Sequence, residues 1–289
     1  MTLKGCGTAL VTPFKDGKVD YEAYKSLVRR QVEADVHFLV PLGTTAETPC
    51  LDDDEKCEIL RLTRKLCPDR PVVAGAGTNS PAATIRNIRL LEPYGPDAFL
   101  IVVPFYNKPT QEGIFEYFMT VAAATDRDIV AYNVPGRTGV NMSAETTLRL
   151  AEIPNVVAVK EASGNLEQVG KILAGKPSDF SVLSGNDDQT LQIMEAGGDG
   201  VISVASDIAP ELMVELVNAL SDKDFGTAHK VNDRLDPLFR ACFVESNPIP
   251  VKAGLNLLGL CSAEMRLPLT EAVPSTFDAM REAMEGLGI

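Results

Sequence analysis

Eight short apolar runs recur along the chain between bounding Gly, Pro and polar residues, at 7–12, 36–42, 72–76, 98–103, 129–132, 156–160, 181–184 and 200–203. Their spacing of roughly 20 to 35 residues leaves room each time for one crossover helix, which makes successive strands parallel. Helix-like stretches fill those gaps at 21–34, 53–66, 81–91, 114–124, 144–153, 166–173 and 189–196. Asn79-Ser80-Pro81 is a cap followed by proline in the first turn, while Ser143 with Glu145 opens another helix that Pro154 ends. Eight strands alternating with helices is the count of a (β/α)8 barrel, a fold of about 250 residues. A doubly wound open sheet is the competing arrangement. It usually has fewer strands and a Gly-rich turn after the first, where this chain has Thr12-Pro13-Phe14. The expected fold class is α/β, a (β/α)8 TIM barrel over residues 1–209. From 210 the pattern is helical only, at 211–220, 226–243, 250–258 and 270–287, and reads as a C-terminal helical extension, 210–289, packed on the barrel.

Composition removes several function classes. The formal net charge is -13 and Lys and Arg are scattered, which speaks against nucleic acid or an anionic membrane surface as partner. No run approaches the ~18 consecutive apolar residues of a membrane span, and the opening MTLKGCGTALVTPF has too short an apolar run for a signal peptide. The six cysteines are far apart with no C-x-x-C, so they read as reduced thiols of a cytoplasmic protein and not as metal ligands. The two histidines, His37 and His229, sit in no metal or triad pattern. That leaves histidine base catalysis and a His-ligated zinc disfavoured, and the chemistry to Lys, Tyr, Thr, Arg or carboxylates.

In a barrel, catalysis is expected at the C-terminal ends of the strands. Those ends carry Thr12, Thr44 and Thr45, Gly77 and Thr78, Tyr106, Tyr132, Lys160, Gly185-Asn186 and Ile202-Ser203. Lys160 directly follows VVAV, so apolar neighbours should wall its stem and disfavour the ammonium. A neutral amine is what Schiff-base formation with a carbonyl requires. The competing role for Lys160 is an ion pair with an acid such as Glu161. Tyr132 is the best-placed acid/base for the proton transfers of imine chemistry, with Thr44 and a second tyrosine as a route to solvent. Its competing role is a core aromatic. The turn at 43–47, GTTAE, offers backbone N-H groups and two hydroxyls to a small carboxylate, and Arg137 in VPGRTG is a second anion candidate. The GGDG at 197–200 follows a helix and precedes a strand, so it reads as a turn and not as a phosphate cradle.

Nine segments in order, TALVTPF, GTTAE, VVAGAGTNS, PFYNKPTQEG, YNVPGRTG, KEASGN, LSGND, GGDGVISV and NPIPVK, span essentially the whole chain. The series resembles the dihydrodipicolinate synthase and N-acetylneuraminate lyase family of class I aldolases. The resemblance implies that Lys160 forms the Schiff base with pyruvate, that Tyr132 is the acid/base, and that Thr44 relays protons between it and Tyr106. It further implies that Tyr106 crosses a tight dimer interface and that two dimers form a homotetramer. Thr45 and its backbone match the pyruvate carboxylate site, and Gly185 and Ile202 match positions whose carbonyls face the site. Arg137 matches the residue that receives the carboxylate of aspartate semialdehyde in the synthases of the family, whereas its sugar-acid lyases differ there. No metal or organic cofactor is implied. Another aldolase acting on a 2-oxo acid, or an oxo-acid binding barrel without turnover, stands as the alternative.

Two departures from the family pattern carry expectations. The turn usually reads GTTGE, and Ala46 in place of the glycine requires an ordinary backbone angle. Lysine-sensitive relatives carry histidine, glutamate and tyrosine where this chain has Lys56, Ala83 and Phe105, so feedback by lysine should be weak or absent.

Overall fold

A computed structural model describes residues 1–289. Eight parallel strands form one sheet: β1 (Gly5–Ala9), β2 (Phe38–Val40), β3 (Val73–Gly75), β4 (Ala98–Val102), β5 (Asp128–Asn133), β6 (Val156–Glu161), β7 (Ser181–Ser184) and β8 (Gly200–Ser203). Each pairs with its neighbour in sequence, and β8 pairs with β1, Gly7 lying opposite Ile202. A parallel bridge between Leu39 and Val72 joins β2 to β3 and closes the ring. The (β/α)8 barrel expected from the alternation is the observed fold.

The first four strands are shorter than the apolar runs that announce them. Leu10, Val11 and Thr12 are fully buried but lie beyond β1, and the Thr12 hydroxyl donates to the Ala46 carbonyl at 2.8 Å. Burial without a ladder looks the same in sequence as burial within one. Capping residues set the helix starts where the sequence places them: Asp52 and Glu55 form a reciprocal box before Asp53–Leu66, and Ser143 accepts from the Thr146 amide. The fourth crossover helix starts earlier than expected, at Gln111, because Thr110 caps it. A small hairpin at Phe14–Lys15 and Lys18–Val19 and a single helical turn at Pro135–Thr138 carry no periodicity long enough to read.

Pleating divides the apolar residues into two sets. A cluster of 66 buried residues lies between strands and helices, whereas 13 others, among them Ala9, Val40, Leu100, Val130, Tyr132, Ala158, Leu183 and Ile202, form a second. Along β5 and β6 the register shifts by one residue. Ile129 pairs with Val156 but Val130 pairs with Ala158, so Tyr132 comes to lie opposite Lys160.

The helices from residue 210 onward hold the barrel mouth as well as its flank. Pro210–Ser221 packs on β1, and Phe225–Ala241 packs on that helix in turn. Ile249–Leu257 carries Lys252, whose ammonium donates to Glu47 at 2.8 Å with both side chains fully shielded from solvent. Lys252 also donates to the Glu264 carbonyl, and the Arg266 amide donates to the other Glu47 oxygen. Removing one member of a buried, hydrogen-bonded ion pair leaves a charge without compensation, at a cost of about 3–5 kcal/mol. Lys252→Met should therefore destabilise the protein by about 3 kcal/mol in urea unfolding. The double variant Glu47→Leu/Lys252→Met should recover part of that loss, because no orphaned carboxylate remains.

Candidate active site

Lys160 and Tyr132 face one another because their strands are neighbours and in register. The Lys160 ammonium lies over the Tyr132 ring, 4.5 Å from its centre, and the two side chains are 6% and 7% exposed. Leu183 stands opposite Lys160 on the other side, in β7. Gly185 follows at the end of that strand, and a Cβ there would come within 3.0 Å of the Lys160 Cε. The lysine stem thus runs across a position that tolerates no side chain.

Burial is the main influence on both groups. It pushes the Lys160 amine down to about 8, with Arg137 acting in the same direction and the Asp187 carboxylate opposing it. Burial also raises the Tyr132 phenol, against smaller lowering effects from Arg137 and a hydrogen bond with the Thr44 side chain. The result is an amine that is neutral in part near neutrality beside a phenol that keeps its proton. Glu161, the other suggested partner of Lys160, points to the opposite face of β6. There its carboxylate accepts from Asn133, Gln168 and the Ser163 amide, at 2.7–3.1 Å.

A cavity of about 60 Å³ is lined by Thr44, Thr45, Tyr132, Arg137, Lys160, Gly185 and Asn247, among others. Six of the eight residues singled out in the sequence thus meet at one point. Ile202 lies deeper, fully buried among the barrel's inner side chains, while Val204 two residues on reaches the cavity. Tyr106 does not join them: it is 87% exposed, with a positive φ of 71°. Within one chain the hydrogen bond from Tyr132 therefore reaches Thr44 and is not continued to Tyr106.

The turn at 43–47 is built differently from a simple nest of amides. Thr44–Ala46 and Thr48–Cys50 are two short 3-10 turns joined at Glu47, which alone takes the left-handed conformation, φ 52°. Ala46 has an ordinary angle, so its methyl is accommodated. His37 and His229 are structural: the Cys6 amide donates to His37 Nδ1, and His229 pairs with Glu195 at the surface. Gly197 and Gly198 lie in the turn before β8.

Two residues that local sequence pattern does not single out belong to this site. Asn247 donates from Nδ2 to the Thr45 hydroxyl at 2.9 Å, and its carbonyl accepts from the Arg137 guanidinium at 3.1 Å. One residue of the C-terminal segment so fixes both anion candidates. Asp187 is fully buried behind Gly185, accepting from the Val204 and Ala205 amides at 2.9 and 3.1 Å. The LSGND and NPIPVK segments contain these two residues, but nothing in their spacing points to Lys160 or Thr45.

A family model described as the dihydrodipicolinate synthetase family matches residues 2–286. The 4-hydroxy-tetrahydrodipicolinate synthase of Thermotoga maritima is 45% identical over 99% of this chain and 99% of its own. The chain belongs to the dihydrodipicolinate synthetase family. Among solved structures, a monomeric dihydrodipicolinate synthase variant superposes with a TM-score of 0.98 at 44% identity, covering 99% of this chain and 97% of that one. The chloride-inhibited enzyme of Acinetobacter baumannii, complexed with pyruvate, superposes with a TM-score of 0.97 at 37% identity, over the full length of both chains.

As pH rises through about 8 the neutral fraction of the Lys160 amine, the form able to attack a carbonyl, grows and then levels off. The rate of borohydride-trappable imine formation with pyruvate should rise with pH through a midpoint near 8 and then level off. Asp187 favours the ammonium, so Asp187→Asn should move that midpoint down, a shift measured by the same trapping at stopped times.

Proposed function

We infer that this chain is a 4-hydroxy-tetrahydrodipicolinate synthase, a lyase of class I aldolase type that condenses pyruvate with L-aspartate 4-semialdehyde. The full-length relatives carry that activity in their names. The observation that carries the mechanism is the buried lysine, its ammonium disfavoured, in register with a protonated tyrosine at the barrel rim.

The residue roles that follow are our assignment. The neutral Lys160 amine adds to C2 of pyruvate, and Tyr132 moves the proton that lets the carbinolamine lose water to the imine. Loss of a C3 proton gives the enamine, whose C3 attacks the aldehyde carbon of the second substrate. Tyr132, through Thr44, protonates the resulting alkoxide. The amino group of that substrate then adds to the imine carbon and expels Lys160, closing the ring. One water is lost overall, and the lysine imine itself is the electron sink, so no cofactor enters. We place the pyruvate carboxylate at Thr45 and its neighbouring amides, with Gly185 contributing to the wall and Ile202 lying beneath it. We place the second carboxylate on Arg137, an exposed guanidinium steadied by the Asn247 carbonyl.

We also propose a homotetramer built as a dimer of dimers, in which Tyr106 of one protomer completes the Tyr132–Thr44 relay of its neighbour. The exposure of Tyr106 away from its own site supports this reading. The division into a catalytic barrel, 1–209, and a helical extension, 210–289, and a cytoplasmic location, argued from six unpaired thiols, belong to the same proposal. Lys56, Ala83 and Phe105 line one cavity of about 490 Å³, and none of them offers an acid to an effector's ammonium.

A coupled-reductase assay with pyruvate and aspartate semialdehyde tests the assignment. Turnover is expected in the wild type and a loss of about 10³-fold or more in Lys160→Ala. Arg137→Gln should raise KM for the aldehyde by about tenfold with little change for pyruvate. Pyruvate trapping without turnover would retain the imine chemistry and overturn the choice of aldehyde. L-Lysine should leave the rate nearly unchanged at sub-millimolar concentration, and a steep inhibition curve there would overturn the expectation.

A further inference from the structure

The residue after each of the two facing side chains is polar and lies buried on the other side of the sheet. Asn133 follows Tyr132 and Glu161 follows Lys160; they are partners across β5 and β6, and are 0% and 1% exposed. Pleating turns this second pair into the helix layer as it turns the first into the barrel. Asn133 Nδ2 donates to both Glu161 oxygens at 3.1 Å. The carboxylate also accepts from the Ser163 amide at 2.7 Å and from Gln168 Nε2, in the helix Leu166–Gly175, at 3.1 Å. These donors are all amides, and no cation pairs with Glu161. A charge buried in that way is costly, so the four bonds are what keep the carboxylate there.

Asn133 also closes the loop that carries Arg137. Its Oδ1 accepts from the Met142 amide at 2.9 Å, and its Nδ2 donates to the Met142 carbonyl at 3.3 Å and to Asn141 Oδ1 at 2.8 Å. Gln168 holds the same two residues from the helix side, donating to the Met142 carbonyl at 3.1 Å and accepting from Asn141 Nδ2 at 2.8 Å. Glu161 is the acceptor outside the loop that both of these side chains share. From this we propose that Glu161 is a positioning residue: its carboxylate orients Asn133 and Gln168, and so fixes the Arg137 loop relative to Lys160. A carboxylate accepts on two oxygens from donors that converge from a strand, a turn and a helix, which an amide of the same shape does not. Reaction between an aldehyde held at Arg137 and an enamine on Lys160 depends on that spacing, and a misplacement of about 1 Å caused far from the chemistry costs about a hundredfold. The inference rests on the placement of the two substrates proposed above. Glu161 leaves the amine itself alone, since burial, Asp187 and Arg137 are what act on Lys160.

Glu161→Gln keeps the shape of the side chain and turns one acceptor into a donor facing other donors. In that variant kcat/KM for aspartate semialdehyde should fall by about tenfold or more, while the rate and pH dependence of borohydride-trapped imine formation with pyruvate stay as in the wild type. Hydrogen exchange of the Met142 amide should quicken by about tenfold or more. Gln168→Met retains the pair across the strands and should show the same split less strongly; it decides the matter if Glu161→Gln does not fold. A parallel loss of imine formation and aldehyde turnover would mark a merely structural role and overturn the proposal. Unchanged aldehyde kinetics, or unchanged Met142 exchange, would overturn it as well. A wild type that forms the imine but does not turn over aspartate semialdehyde would overturn the choice of substrate and not the clamp, which then stands or falls on Met142 exchange with imine formation intact.

Discussion

Transferring an ammonium group from water to a surface walled by hydrocarbon disfavours its charge, and the barrel imposes that transfer on Lys160. Leu183 and Tyr132 flank it on adjacent strands, and Gly185 leaves space only for its methylenes. A buried carboxylate would ordinarily answer such a charge. Here Glu161, one residue away, is turned to the opposite face, and Asp187 is held by the backbone amides of Val204 and Ala205. The lysine thus has an influence that tempers its shift but no ion-pair partner that would fix it as an ammonium. Nucleophilicity at moderate pH follows from this geometry, and so does the need for a neighbour able to move protons without histidine.

The second requirement is that the anion-binding elements keep station around that amine. Thr45 and Arg137 belong to loops after different strands, each closed by its own hydrogen bonds. Asn247 joins them, from a segment more than a hundred residues later in the chain. Behind it, Lys252 and the Arg266 amide grip Glu47, the one residue of the turn in the left-handed conformation. The helices after residue 210 are therefore part of the active-site framework. A barrel alone would present the strand ends but would lack the Asn247 bonds that tie Thr45 to Arg137.

These two layers are unequally legible in the sequence. Strand and helix alternation is written in local periodicity, and that periodicity alone places the barrel, Lys160 and Tyr132. Arg137 and Thr45 stand out by residue type and position on their loops. Asn247, Lys252 and Asp187 do not, because their partners lie far along the chain and contact at that range leaves no local pattern. Strand ends are blurred for a related reason: Leu10 to Thr12 are as buried as β1 itself, but only the Leu10 amide still bonds to the neighbouring strand, at the Val40 carbonyl. Tyr106 stands out by its place near a strand end, but its link to Thr44 is legible only through resemblance, and one chain does not bring the two together.

One backbone irregularity decides which of two adjacent residues faces the barrel interior. Successive side chains on a strand face opposite sides, so a shift of one residue exchanges Lys160 for a neighbour. Had β5 and β6 run without interruption from the Ile129–Val156 pair, Tyr132 would lie opposite Val159, with Lys160 outside the barrel among the helices. The extra residue at Val157 restores the phase. Beyond it Ala158, Lys160 and Ala162 face inward, and Val159 and Glu161 face the helix layer. Irregularities of this kind locally break a ladder, and they are found next to active sites where they re-aim a side chain. The charge that the barrel strains and the acid that stays in the helix layer are separated by a single peptide unit, and Val157 sets their order.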